Sequence, residues 1–243
     1  MPTVLILGAA SDMAVAIARK MAEKGYGIQL AARNVNRLQA LCSDIKVRFG
    51  AACTLHEFDA LDFSKHASFF ASLPEKPEIT ICVFGYMSDN EEARKNWAET
   101  ERMIHSNYTG AVSILNIVSN YYGEQKKGTI VGISSVAGER GRQSNYIYGS
   151  AKAAFTAYLS GLRNRMYADG VHVVSLLPGF VYTRMTEHLK LPALLTAKPE
   201  DVANAVYKAI TAKKNTVYVK WFWRWIMLII KCIPEFQFKK MKL

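Results

Sequence analysis

Cysteine is scarce in this chain of 243 residues. The four present, Cys42, Cys53, Cys82 and Cys232, are scattered and form no Cys-x-x-Cys pair. That pattern excludes a disulfide framework and a thiolate zinc site, and it makes a reducing cytoplasm the expected compartment. Long apolar runs are also missing. The longest, Trp221–Ile233, has thirteen residues and is interrupted by Arg224 and Lys231, whereas a spanning helix needs about 20. The N-terminus enters Val4-Leu5-Ile6-Leu7 with neither a basic n-region nor a longer apolar stretch, so no secretory signal is expected. No Gly/Ser/Pro-rich linker and no repeat divides the first 220 residues. One domain over residues 1–219 is expected, with residues 220–243 as an appendage.

Charge is present but uneven. The net charge is +11, and Lys213 to Leu243 alone hold eight Lys/Arg against one acid, a net of +7. A basic tail, not a basic domain, makes the chain cationic. No DNA- or RNA-binding motif accompanies it, so nucleic acid is not an expected partner.

Short Val/Ile/Leu-rich runs alternate with helix-length segments. The strands expected are Thr3–Leu7, Gly27–Ala32, Ala52–Glu57, Ile79–Phe84, Gly128–Ser134, Val171–Leu177 and Thr216–Val219. Strand-helix alternation of this kind predicts an α/β fold: a Rossmann-type, doubly wound, seven-stranded parallel sheet in three layers. Ligands in such sheets bind at the carboxyl ends of the strands, and the motifs below fall there.

The first strand runs into Gly8-Ala9-Ala10-Ser11-Asp12-Met13-Ala14. A small-residue turn into a helix lets the backbone approach a pyrophosphate. It also fits a plain strand-to-helix turn capped by Ser11 or Asp12, and Asp12 is awkward beside a phosphate. The second strand ends in Ala32-Arg33-Asn34. A neutral residue followed by Arg suits a 2′-phosphate, so NADP(H) is the preferred cofactor, with NAD(H) the alternative. Asp59, after the third strand, could accept a bond from an adenine amino group.

The sharpest pattern is Tyr148-Gly-Ser-Ala-Lys152. Its i,i+4 spacing puts phenol and ammonium on one helix face. A phenol titrates near pH 10, and a neighbouring ammonium favours phenolate. Ser135, at an expected strand end, can hold a carbonyl oxygen. Asn107, in Ser106-Asn107-Tyr108-Thr109-Gly110, can bend a helix and hold a relay water. Pro178-Gly179 follows the sixth strand, with Val181 and Thr183 just beyond.

In this order the motifs resemble the short-chain dehydrogenase/reductase family over residues 3–219. The resemblance implies hydride transfer between a nicotinamide and a carbonyl or alcohol. It also implies a catalytic set of Asn107, Ser135, Tyr148 and Lys152, a cofactor site that includes Pro178, Gly179, Val181 and Thr183, and a homodimer or homotetramer. Two departures stand out. Asp12 and Ala14 replace two glycines of the family's turn, and Phe84-Gly85-Tyr86 replaces its Asn-Ala-Gly. Further segments, among them Ala137-Gly138-Glu139-Arg140, Thr183-Arg184-Met185 and His188-Leu189-Lys190, are similar to the decaprenylphosphoryl-ribose 2-keto reductases.

In the tail, Lys220, Arg224 and Lys231 share one helical stripe, and Trp, Phe, Met, Leu and Ile fill the other faces. Lys239, Lys240 and Lys242 follow Pro234. This composition suits an in-plane helix at an anionic membrane surface, placing the protein peripherally at the inner face. It equally suits a helix buried on the domain or a partner subunit. Arg140, Arg142, Arg184 and Lys190 are candidate cations for a phosphate on a lipid-linked keto sugar. A soluble reductase of small carbonyl or fatty-acyl compounds, and a nucleotide-sensing protein without catalysis, are the rival readings.

Overall fold

The computed structural model of the chain describes residues 1–184, 186 and 191–242. Seven strands form one parallel sheet: β1 (Thr3–Leu7), β2 (Gly27–Ala32), β3 (Cys53–Glu57), β4 (Ile79–Cys82), β5 (Thr129–Ile133), β6 (His172–Pro178) and β9 (Thr216–Val219). Their order is β3-β2-β1-β4-β5-β6-β9. The order reverses beside β1, which pairs with both β2 and β4, and this opens a crevice at the strand ends.

Both sheet faces are covered, so the central strands β1, β4 and β5 are buried along their whole length rather than alternating, while the edge strands β3 and β9 are partly exposed. Val4 and Ile6 point into one core, shared with α1 (Asp12–Glu23) and α8 (Pro199–Thr211). Leu5 and Leu7 point into the other, shared with α6 (Gly110–Gln125) and α7 (Tyr146–Tyr167). Short strands β7 (Phe180–Val181) and β8 (Thr196–Ala197) pair beyond the main sheet. The remaining helices are α2 (Gln39–Phe49), α3 (His66–Ser72), α4 (Asn90–Ala93), α5 (Trp97–Ile104), α9 (Trp223–Cys232) and α10 (Glu235–Phe238). A π-helical turn, His105–Thr109, joins α5 to α6.

The tail departs from the expected stripe. Lys220 lies outside α9 in a left-handed turn (φ 60°) and reaches Asp201 at 3.8 Å. Lys231 pairs with Glu139 at 2.9 Å. With these lysines turned towards acids of the domain, the helix is sorted by packing instead. Trp223 and Met227 are buried with Val136 and Leu177. The Trp223 indole donates to the Leu195 carbonyl at 3.2 Å and fills the space where a side chain at position 179 would stand. Trp221, Trp225, Leu228 and Ile229 remain exposed. Among the described residues, no helix is long and apolar enough to cross a membrane.

One polar pair is enclosed in the second core. The Tyr122 hydroxyl and Thr80 Oγ1 are 2.9 Å apart, and both residues are buried. Tyr122→Phe leaves the Thr80 hydroxyl without this partner and lowers the urea-unfolding free energy by about 1–3 kcal/mol. Adding Thr80→Val recovers most of the loss, which a double-mutant cycle reads directly.

Candidate active site

The crevice holds a cavity of about 870 Å³, lined from the β1 turn to α7. Its first wall is the turn after β1. The N–H groups of Gly8 and Ala9 both donate to the Ala31 carbonyl, at 2.9 and 3.0 Å. Gly8 has φ +87°, and a Cβ there would lie 2.7 Å from the Phe84 backbone. Only glycine suits that conformation and that space. Ser11 caps α1, its hydroxyl accepting from the Ala14 N–H at 3.3 Å. Asp12 is therefore not the cap. Its carboxylate accepts from the Arg184 N–H at 2.8 Å and from Arg184 Nε at 3.1 Å, and Arg184 Nη2 donates to the Ala10 carbonyl at 2.7 Å. Met13 and Thr183 line the same wall.

The far end is formed where β2 and β3 finish. Arg33, Asn34 and Arg37 line it, opposite Asp59, Ala60 and Leu61. The Asp59 carboxylate accepts from the Leu61 N–H at 3.0 Å. Buried His66 lies 3.0 Å from the Asp59 carbonyl through Nε2 and 2.9 Å from the Ser113 hydroxyl through Nδ1. The tautomer that satisfies both contacts carries its proton on Nε2.

At the near end the sequence-predicted catalytic residues come together. Asn107 sits in the π-helical turn. Its Nδ2 donates to the carbonyls of Met103 (2.8 Å) and Tyr86 (2.5 Å), while its Oδ1 accepts from the Tyr86 N–H at 3.3 Å. A π turn re-aims a side chain by adding a residue to the helix, and here it turns the amide onto the chain leaving β4. Gly85 is packed between two of the group: a Cβ there would lie 2.7 Å from Asn107 Oδ1 and 3.3 Å from Lys152 Nζ. Lys152 is buried, and its ammonium donates to the Ile133 carbonyl at 3.2 Å. It stands 5.7 Å from the centre of the Tyr148 ring. Ser135 accepts from the Ala137 N–H at 3.1 Å.

Burial controls both titrating groups. It pushes the Tyr148 phenol up to about 12, against the lowering effect of the Ser135 hydroxyl. It pushes Lys152 down to about 8, with neighbouring Cys82 opposing. The expected lowering of the phenol by the ammonium does not appear here: desolvation sets the direction, and Lys152 is not among the groups that shift it. The phenol is protonated at neutral pH, which is the form a proton donor needs.

Several expected contacts are placed elsewhere. Ser135, Pro178, Gly179 and Val181 are not among the residues lining the cavity. Ser135 Oγ is 3.5 Å from the Pro178 carbonyl, Gly179 abuts Trp223, and Val181 is in the core. The cations expected at a substrate phosphate are already engaged. Arg140 donates to the carbonyls of Ile230, Lys231 and Ile233, pairs with Glu235 and stacks on Phe238. It caps the C-terminus of α9, where free carbonyls attract a cation. Arg142 is turned to the Val136 carbonyl and the Met227 sulfur. Arg184 serves the β1 turn. Lys190 lies outside the described residues. Conversely, Arg37, Tyr86, Arg102 and Ser106 line the cavity without having been singled out in the sequence. Each lies within five residues of a motif position, and that proximity was the one available signal.

The family profile described as short chain dehydrogenase matches residues 2–192. An uncharacterized oxidoreductase of Mycobacterium tuberculosis is 34% identical over 241 residues, which cover 98% of this chain and 96% of that protein. A solved short-chain dehydrogenase from Sphingobium yanoikuyae, in complex with NADPH, superposes with a TM-score of 0.81 at 22% identity, covering 97% of both chains. The bulky-bulky ketone specific alcohol dehydrogenase from Comamonas testosteroni superposes with a TM-score of 0.82 at 22% identity, covering 97% of this chain and 96% of that one. At these identities the two structures establish likeness of fold.

The Lys152 shift carries a stability consequence. Its folded value, about 8, lies below the ordinary 10.5. Below pH 8 both states hold the proton, and the folded chain bears the full desolvation cost. Between pH 8 and 10.5 the unfolded chain holds more protons, so stability rises with pH. Lys152→Met removes that cost. The variant should exceed wild type by about 3 kcal/mol at pH 7, with the gap narrowing by pH 9.5, below the range where Tyr148 contributes. Urea unfolding at the two pH values measures it, and a constant gap would contradict the assignment.

Proposed function

The chain belongs to the short-chain dehydrogenase family, and from that premise we propose that it reduces a ketone to an alcohol with a nicotinamide dinucleotide, Tyr148 giving the proton. The observation that carries this reading is half-buried Tyr148 and buried Lys152 on one face of α7, the ammonium 5.7 Å from the centre of the phenol ring. When bound, the reduced dinucleotide supplies the hydride that adds to the carbonyl carbon. Ser135 orients the carbonyl oxygen, and Tyr148 delivers its phenolic proton to that oxygen. Lys152 replaces the proton from its place beneath the phenol. Asn107 positions Tyr86 and the chain beside Lys152.

The residues present fit the dinucleotide. The turn at Gly8 leaves no side chain between the backbone and the cavity, the carboxylate of Asp12 is neutralised by Arg184, and Arg33 and Arg37 face the cavity where β2 ends. Two arginines there favour NADPH over NADH. A structural neighbour in complex with NADPH supports the same choice. The ketone is borne by a lipid at a membrane surface, and a polyprenyl-phosphate-linked keto sugar is the form that the subgroup resemblance favours. Support comes from the outer side of α9 and α10, where Trp221, Trp225, Leu228, Ile229 and Phe236 are exposed next to Lys239, Lys240 and Lys242. An apolar band edged by lysines complements an anionic bilayer.

Tyr148→Phe should lower kcat by roughly 10²–10⁴-fold, with NADPH binding, read by fluorescence, unchanged. Equal turnover in both proteins would remove the catalytic reading. Arg33→Ala and Arg37→Ala should each weaken NADPH about tenfold and leave NADH nearly unaffected. Trp225→Ser with Ile229→Ser should release the protein from sedimenting phosphatidylglycerol vesicles. Retention of the double variant on those vesicles would count against membrane docking through α9.

A further inference from the structure

Tyr86 occupies a position where the family resemblance leads one to expect glycine, and its side chain has defined neighbours. The ring packs in one cluster with Tyr148, Ile147, Met103 and Ala93. Its hydroxyl donates to Glu99 Oε2 at 2.5 Å. The Arg102 guanidinium lies over the ring face, 4.1 Å from its centre. Asn107 fixes the Tyr86 backbone through both its N–H and its carbonyl. A continuous series of contacts therefore runs from the catalytic amide, through one aromatic ring, to a cation on the cavity wall.

The donors of that cation are not consumed. Arg102 is 3.7 Å from Glu99 Oε1, an ion-pair distance beyond hydrogen-bond range, while Tyr86 engages the other Glu99 oxygen, Oε2. Stacking leaves the edge of a guanidinium, where its N–H groups point, open to a planar oxyanion. The contrast with other arginines is direct, since Arg140 and Arg184 are bonded to carbonyls and carboxylates of the protein. Arg33 and Arg37 line the opposite end of the cavity, beyond the strand ends.

The geometry points to Arg102, stacked on Tyr86, as a specificity-determining residue that receives an oxyanion of the substrate, a phosphate or a carboxylate, beside Tyr148. This deepens the ketone-reductase reading and rests on it: the preferred ketone is anionic near its reacting carbon. The rival source of the same chemistry is a phosphate of the dinucleotide itself.

Titration calorimetry of inorganic phosphate into the NADPH-loaded enzyme separates these cases, with NADPH affinity measured on the same proteins. Wild type should bind phosphate in the millimolar range, and Arg102→Met should weaken it at least tenfold. Arg102→Lys should keep part of the binding, Arg37→Met should leave it unchanged, and NADPH affinity should stay within twofold in Arg102→Met. Phosphate binding that is absent in wild type, or unchanged in Arg102→Met, overturns the assignment. Loss of NADPH affinity in Arg102→Met also overturns it and transfers the cation to the dinucleotide. Failure of wild type to bind NADPH at all would instead refute the reductase reading. Circular dichroism confirms that each variant is folded.

Discussion

One buried amide ties the reactive end of the molecule together. Asn107 makes three hydrogen bonds, two of them to the backbone of Tyr86. Through them the end of β4 is joined to the helix that crosses beneath it. An unpaired amide at that depth would cost several kcal/mol, so the π turn that aims it is held in place by its own product. Gly85 follows from the same contact, because the amide oxygen and the Lys152 ammonium leave no room for a Cβ. The replacement of the family's Asn-Ala-Gly by Phe84-Gly85-Tyr86 thus keeps its one small residue at the crowded position.

Much of this was readable in the sequence, for a physical reason. A sheet buried on both faces needs central strands that are largely apolar, and Val4-Leu5-Ile6-Leu7 or Ile130-Val131 permit little else. β1, β2 and β9 coincide with their expected bounds, and β3, β4, β5 and β6 differ at the ends, where pairing stops. β4 finishes at Cys82 rather than Phe84 because the chain turns away over Gly8. The fit of Tyr148 to Lys152 was legible because helical spacing alone sets it.

The cations were not legible, because a guanidinium goes where acceptors are, and acceptors are placed by the fold. Arg140 follows Ser135 closely in sequence, yet the carbonyls at the end of α9, about ninety residues later, claim it. Arg184 is drawn to Asp12 across the crevice. The same argument governs the tail. A stripe of Lys220, Arg224 and Lys231 on an ideal helix faces water, but Glu139 and Asp201 lie on the domain and turn two of the three inward. What is left outward is apolar, and that is the face a bilayer would meet.

Electrostatics in the site are set by exclusion of water more than by pairing. Desolvation acts on Tyr148 and Lys152 in opposite senses and leaves both nearer their neutral forms, about 12 for one and about 8 for the other. Pairing alone would have driven them towards phenolate and ammonium. A protonated phenol beside an amine that can gain or lose a proton near neutral pH suits reduction, in which a proton must leave the phenol and be replaced. An anion held at Arg102 would sit at the exposed mouth of the site, across the Tyr86 ring from the dry region. It would oppose phenolate formation in the resting enzyme and favour the ammonium form of Lys152. Substrate charge and proton inventory would then be linked through the ring of Tyr86, which stacks on Arg102 and packs on the same apolar cluster as Tyr148.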